Sequence, residues 1–274
     1  MLQPRPIISV SSLGLLFVGI LAAQDPPPQQ PAAPPAPAVL QNEGKPISVP
    51  YACTAEDIRS AGLSCSEDQP CAIFLEVTAA TEHAGQIFVL GNIHTEAVTL
   101  YSVLLASADD GKTWSEAYAR IPAAGLDRIQ FLNAQDGWIS GEELSPLPQN
   151  PFFLITGDGG KTWRQRPLFA EESDNRFGSV LQVASDGKTN LAAIVDRGQG
   201  SDTRYVLFLS DDAGATWQIK QESSKAIQLP RTLSPAPPPS LKVRVEPATK
   251  SFVVERQGGV IARFAIQLSP CKPE

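Results

Sequence analysis

Carboxylates, hydroxyls and a tryptophan recur in one setting three times along the chain. The segments begin Ser107-Ala108-Asp109, Thr156-Gly157-Asp158 and Ser210-Asp211-Asp212. They continue through Gly111-Lys112-Thr113-Trp114, Gly160-Lys161-Thr162-Trp163 and Gly214-Ala215-Thr216-Trp217, so all obey Ser/Thr-x-Asp-x-Gly-x-Thr-Trp. A carboxylate between two hydroxyls could move a proton or hold a cation. The spacing assigns it to a turn instead. A tight turn exposes backbone N–H groups, which a short Asp side chain can accept, while Ser and Thr hydroxyls add local bonds. Gly111, Gly160 and Gly214 are expected at positive φ, where a side chain costs about 1 kcal/mol or more. Each Trp should fold back under its turn and contribute on the order of 3 kcal/mol by burial. A carboxylate satisfied by N–H groups transfers protons poorly. Asp109, Asp158 and Asp212 therefore read as structural.

Other reactive residue types form no recognisable site. Gly160-Lys161-Thr162 and Gly111-Lys112-Thr113 lack the phosphate-loop glycine five residues earlier, where Ile155 and Ala106 stand. Asp211 and Asp212 lack the spaced ligands of a calcium loop. His83 and His94 are not at ligand spacing with any cysteine, so no metal and no cofactor are assigned. No serine or cysteine sits in a nucleophile motif. The acidic pairs Glu142-Glu143 and Glu171-Glu172 read as solvated loop charges. Trp138 aligns with Gln86 and Lys188 in a fainter repeat. It reads as core packing, with an exposed binding aromatic as the alternative.

Cys53, Cys65, Cys71 and Cys271 are an even number in a chain with export character, which reads as a disulfide framework. Three pairings exist and spacing alone does not choose among them. The preferred one is Cys65–Cys71 with Cys53–Cys271, which would staple the chain ends.

The elements that carry these residues are strands. Short runs rich in Val, Ile, Leu and Phe alternate with Gly, Asp and Asn, an all-β pattern. Each motif follows such a run, and the motifs start 49 and 54 residues apart, the length of one four-stranded propeller blade. Glycines 85, 137 and 187 precede the three motifs and mark the turn between the first two strands of each unit. A fourth unit without the motif spans Leu241–Val245, Phe252–Glu255 and Val260–Ile266, and Pro46–Pro50 could supply its missing strand. The expected fold is thus an all-β propeller of about four blades, complete or incomplete. One short helix is expected over Thr54–Ala61, capped by Thr54 with Asp57 three residues on and stopped by Gly62.

The N-terminus has Arg5, an apolar run from Ile7 to Leu21 and then Ala22-Ala23. That order reads as a signal peptide over residues 1–23, with an uncleaved anchor as the alternative membrane contact. Residues 24–44 are rich in Pro, Gln and Ala and read as an extended tether, so the folded part should begin at Lys45. The chain is then secreted or periplasmic. A formal net charge of −7 argues against a nucleic-acid partner.

The three motifs resemble the Asp box of the bacterial neuraminidase repeat (BNR) superfamily, which includes sialidases and many non-enzymatic propellers. Gly137-Trp138-Ile139-Ser140-Gly141 ahead of the second motif is similar to the photosystem II stability/assembly-factor-like subgroup. The resemblance spans roughly Cys71 to Glu222. It implies a binding or assembly role with a protein partner, and a glycan-active enzyme or glycan binder as the alternative. A sialidase would need an arginine triad, a Tyr nucleophile assisted by Glu, and an Asp acid. Ala119-Arg120-Ile121-Pro122 is similar to the family's Phe-Arg-Ile-Pro string, but Ala replaces Phe and the string follows the first box. Arg128, Arg176 and Arg204 are not placed by sequence as a triad. No catalytic residue is assigned.

Overall fold

The computed structural model describes residues 38–144, 147–170, 176–198 and 203–272. The expected signal peptide and residues 24–37 of the proline-rich tether lie outside them, as do Glu171 and Glu172. Among the described residues the chain is nearly all β. It starts with β1 (Leu40–Gln41) and α1 (Ala55–Ser60). The first sheet then forms from β2 (Phe74–His83), β3 (Gln86–His94), β4 (Thr99–Ser107) and β5 (Thr113–Glu116). A second contains β6 (Ala124–Phe131), β7 (Gly137–Leu144), β8 (Pro148–Thr156) and β9 (Arg164–Pro167). The third has β10 (Ser179–Ser185), β11 (Leu191–Asp196), β12 (Tyr205–Ser210), β13 (Gln218–Ser223) and β14 (Ser234–Pro235). The C-terminal sheet holds β15 (Lys242–Glu246), β16 (Ser251–Arg256) and β17 (Gly259–Ala265). Within each sheet consecutive strands pair antiparallel, apart from the short flanking strands β1 on β5 and β14 on β10.

Side chains alternate between the two faces of each strand, and three of the buried clusters are the seams between sheets. Val89, Leu105 and Trp114 of the first sheet pack with Val254 and Phe264 of the C-terminal sheet. The opposite face of the first sheet, Phe88, Leu90 and Leu104, packs with Ile139, Leu154 and Trp163 of the second. Trp138, Phe153 and Ile155 then meet Val183, Ala193 and Phe208 of the third. The spatial order is therefore C-terminal, first, second, third.

Each motif turn docks onto the preceding sheet in that order. Trp114 meets Phe264 edge-on at 5.3 Å, Trp163 meets Phe88 edge-on at 6.1 Å, and Trp217 stacks on Phe153 at 4.8 Å. The glycines permit the approach. A Cβ on Gly111 would lie 2.5 Å from Ile261, and one on Gly160 would lie 2.4 Å from Phe88. Three motifs thus serve three seams.

The outer face of the third sheet has no sheet against it among the described residues. Ala192, Ile194 and Leu207 are covered there by Ile227, Leu229 and Leu233 of the connector leading to the C-terminal sheet. The C-terminal sheet ends the arc differently, with Arg244 and Arg263 paired to Glu246 and Glu255.

The N-terminal chain stitches the C-terminal and first sheets from outside. Leu40 and Gln41 pair with Trp114 and Thr113. The Asn42 amide donates to the Gly111 and Ile261 carbonyls, both at 2.9 Å, and Ile47 bridges Phe264 in parallel. The folded part therefore begins before Lys45. Leu40 supplies an apolar contact and Asn42 satisfies two carbonyls, which a solvated tether would not do. Ile47 joins the edge of β17, within the stretch expected to complete the fourth unit.

The helix has the expected cap. The Thr54 hydroxyl accepts from Asp57 N–H at 3.1 Å, while the Asp57 carboxylate accepts from Thr54 N–H at 2.7 Å. Cys53 pairs with Cys271 and Cys65 with Cys71, at Cα separations of 5.1 and 5.2 Å. Beside them Cys71 and Cys271 exchange two backbone hydrogen bonds, so the C-terminus is held against the chain entering β2.

Candidate functional site

The three motif carboxylates face their own turns. Asp109 accepts from the Ser107 hydroxyl, the Thr113 N–H and the Thr113 hydroxyl at 2.6–2.8 Å. Asp158 and Asp212 repeat the pattern with Thr156 and Thr162, and with Ser210 and Thr216. The Thr113 hydroxyl and N–H hold Asp109 down at about 2, and Thr162 does the same for Asp158. Burial pushes Asp212 up, but the Thr216 N–H and hydroxyl outweigh it and its pKa is lowered. Gly111, Gly160 and Gly214 take φ of +80°, +91° and +88°. The Trp114 and Trp163 indoles donate to the Gly111 and Gly160 carbonyls at 3.0 and 3.1 Å. Trp217 Nε1 has no partner among the described residues.

Trp138 is fully buried, edge-on to Phe153 at 5.5 Å. Its ring is a packing element that also borders a cavity of about 600 Å³ together with Arg128 and Gln182. The repeat alignment is corrected. Strand register places Gly137, Ile87 and Leu191 opposite the first residue of each motif. Trp138 therefore corresponds to Phe88 and Ala192, not to Gln86 and Lys188. The turns before these strands differ in length, so aligning on their glycines shifts the frame.

A different set of residues gathers where the sheets converge. The first strands of the first three sheets each carry a register shift at the same place: between Val77 and Ala79, Leu126 and Arg128, and Val180 and Gln182. The extra residue bends each strand and leaves backbone groups unpaired. Neighbouring side chains take them up. Thr78 Oγ1 donates to the Leu126 carbonyl at 2.8 Å, Leu126 N–H donates to Asn92 at 2.9 Å, and Arg128 donates to the Leu181 carbonyl at 3.2 Å.

Two cavities flank this ring of bulges, and Thr78 and Asp127 line both. The larger, about 600 Å³, has walls from Ala79, Ile129 and Val183, polar groups from Arg128 and Gln182, and a rim of connector residues Pro235 to Pro239. The connector reaches this place because β14 pairs with the inner edge of β10. The smaller, about 310 Å³, is mixed: Glu76, Asp127 and Glu142 line it with Asn92, Ser140 and Ser179, beside apolar Leu126, Leu144 and Val180. Burial raises the Glu142 pKa, with the Asp127 charge adding, against the bonds it accepts from Ser179 and Val180.

The sequence reading missed these bulges. Their signal is a break in alternation, since two residues separate the apolar positions in Val77-Thr78-Ala79-Ala80, Leu126-Asp127-Arg128-Ile129 and Val180-Leu181-Gln182-Val183.

Remaining candidates are dispersed. Arg128 lines the larger axial cavity, Arg176 lines a separate one with Glu143 and Phe169, and Arg204 is paired to Asp196 at 2.9 Å. Arg120 is held by Glu116 and donates to the Pro50 carbonyl. These arginines answer to different partners and not to one shared anion. His83 stacks on Phe131 at 3.8 Å, and His94 Nδ1 lies 2.7 Å from the Thr95 carbonyl. Among the described residues no three His, Cys, Asp or Glu side chains are grouped to hold a metal ion. A tyrosine–carboxylate contact does form, Tyr101 donating to Asp57, but Asp57 is also the helix capping residue. That bond, with burial next, pushes the Tyr101 phenol up to about 12.

No protein-family model matches the chain, and no curated protein matches it. Two solved structures share part of its path. A GH74 xyloglucanase from Xanthomonas campestris is 16% identical with a TM-score of 0.37, over 49% of this chain and 18% of the other. YCF48 bound to a D1 peptide is 19% identical with a TM-score of 0.35, over 70% of this chain and 56% of the other. The chain thus spans less than two thirds of either protein, and likeness at this level decides neither fold family nor function.

Proposed function

We propose that the four sheets are blades of an open Asp-box propeller of the BNR superfamily, and that the exported protein is a non-enzymatic binding or assembly module for another polypeptide. The observation that carries the reading is the larger axial cavity. It is concave and mainly apolar, with a few polar groups from Arg128, Gln182 and Asp127, the composition that suits a bound ligand segment. The three Asp-box carboxylates are occupied by their turns, which leaves the axial groups to make contacts. Two disulfides support an oxidising compartment.

Photo-crosslinking in the native host tests this. A benzophenone amino acid at Gln182 should trap a discrete protein, and the same group at Ile219 on the outer edge of β13 should not. Equal adducts from both positions, or none from folded protein, would refute a polypeptide partner at the axis.

One observation favours a second reading, a glycan-active enzyme. The raised Glu142 carboxyl and Asp127 face one cavity, and glycoside hydrolysis uses such a proton-holding and charged pair. Turnover of a glycoside panel that Glu142→Gln abolishes would establish it.

A further inference from the structure

The two disulfides meet at one rung of backbone pairing. Cys71 and Cys271 stand opposite each other in an antiparallel bridge. They exchange both backbone hydrogen bonds: Cys71 N–H donates to the Cys271 carbonyl at 3.1 Å, and Cys271 N–H to the Cys71 carbonyl at 2.9 Å. Leu268 N–H bonds the Ile73 carbonyl at 2.9 Å and Phe74 bridges Gln267, which fixes the register on the β2 side. Opposite residues in such a hydrogen-bonded pair lie about 5.5 Å apart at Cα and carry their side chains on the same face. A disulfide needs a Cα separation of about 4.4–6.8 Å. Cys71 and Cys271 thus meet the requirement for a bridge that the oxidised protein does not make, since each is joined to a different cysteine.

The two bridges differ in access. Cys271 is fully buried, and its partner Cys53 is half-buried. Cys65 and Cys71 are both half-buried, and residues 66–70 between them are all exposed. That loop is held only locally: Ser66 N–H donates to the Gln69 carbonyl and Gln69 N–H to the Ser66 hydroxyl, both at 3.0 Å. A thiolate must reach a disulfide sulfur to attack it. A reductant from solvent therefore meets the Cys65–Cys71 loop first, whereas a thiolate released at Cys71 already faces Cys271. Reactants held in place need no diffusional encounter, so the second attack is favoured over a direct one from solvent.

We propose that the four cysteines form a thiol–disulfide relay opened by a dithiol reductant. One thiolate of the reductant attacks Cys65 Sγ, and Cys71 leaves as a thiolate. Cys71 then attacks Cys271 Sγ; a Cys71–Cys271 bond forms, and Cys53 leaves and takes up a proton. The second thiol of the reductant attacks the sulfur joined to Cys65, so Cys65 leaves as a thiol and the reductant becomes a disulfide. Two electrons pass from the dithiol to the protein, and its two protons end on Cys53 and Cys65. The exchange keeps the C-terminus tied to the chain entering β2. It removes both side-chain ties from residues 53–70, which include α1. That segment is then held by the Tyr101–Asp57 bond and by the packing of Ile58, Ala61 and Leu63. The relay makes the α1 segment responsive to dithiols, whatever the axial cavity binds.

The test treats the full oxidised protein with one equivalent of dithiothreitol, traps free thiols with N-ethylmaleimide and maps the peptides without reduction. Cys53 and Cys65 should carry the label, with Cys71 linked to Cys271. Label on Cys65 and Cys71 with Cys53–Cys271 intact would overturn the relay, as would label on Cys53 and Cys271 with Cys65–Cys71 intact. In a folded Cys65→Ser/Cys71→Ser variant the Cys53–Cys271 bridge should be reduced at least about tenfold more slowly than in the unaltered protein. An equal rate would mean that the reductant reaches that bridge directly, and the relay would be wrong. A folded Cys53→Ser/Cys65→Ser variant should oxidise to a Cys71–Cys271 bridge, and failure to do so would exclude the geometry. Hydrogen exchange at the Ile58, Ala61 and Leu63 amides, which are bonded within the α1 segment, should be faster after the exchange. Unchanged rates there would overturn the release of α1.

Discussion

Substituting Gly160 with alanine separates the two duties of the motif glycine. Its φ of +91° alone costs a side chain about 1–2 kcal/mol. The new Cβ would also lie 2.4 Å from Phe88 Cζ and 2.9 Å from Phe88 Cε1, where carbon atoms prefer about 3.5–4.0 Å. Phe88 is fully buried and meets both Phe131 and Trp163, so it has no free direction to yield. Overpacking of this kind costs about 1–3 kcal/mol, which brings Gly160→Ala to about 2–5 kcal/mol. Gly187 is the control. Its φ is +73°, yet nothing lies within 4 Å of an added Cβ, so Gly187→Ala should cost only the backbone strain, about 1–2 kcal/mol. Urea unfolding followed by tryptophan fluorescence should show midpoints separated by about 0.3–1 M at unchanged slope. Gly111→Ala, which meets Ile261 at 2.5 Å, should behave like Gly160→Ala, and Gly214→Ala, whose nearest neighbour is at 3.2 Å, should fall between. If all four variants lose equal stability, the glycines serve only the turn and the docking argument is refuted.

Replacing the motif tryptophans by phenylalanine should follow their indole bonds: Trp114→Phe and Trp163→Phe should cost about 1 kcal/mol more than Trp217→Phe, whose Nε1 has no described partner, in the same urea assay. Converting Cys53 and Cys271 to alanine opens a loop of 218 residues and should cost about 5 kcal/mol on the chain-entropy relation. The Cys65–Cys71 pair, separated by 6, should cost about 2 kcal/mol, and a reversed order would exclude loop closure as the cause. Asp109 and Asp158 are held near 2 when folded, below their ordinary 3.8. The stability they contribute is therefore complete above pH 4 and lost as pH falls toward 2; Asp158→Asn should flatten that acid limb in a thermal-melt series. Changing Ile227, Leu229 and Leu233 together to serine should uncover the outer face of the third sheet, read as new dye binding, with no such signal if the connector only spans the gap.

The motifs, the turns, the helix cap and the β periodicity were legible in the chain because each is closed by bonds within a few residues. The Ser107, Asp109 and Thr113 bonds all span 2 to 4 positions. Thr54 and Asp57 likewise satisfy each other across three. The alignment of Trp138 failed because it counted residues across turns of unequal length. The tether boundary failed because Leu40 and Asn42 look like linker residues until the strand they cover is present.

The sequence by itself determined how each hairpin turns, since a carboxylate, two hydroxyls and a glycine of positive φ leave that turn little choice. Tertiary structure alone decided the order of the sheets, the connector lying over the third one, and the convergence of Glu76, Asp127, Ser140 and Glu142 on one cavity. Asn42 reaches across 69 and 219 residues to bond Gly111 and Ile261. Contacts at such separations depend on which apolar faces find each other during packing, and strand alternation says only that a face exists.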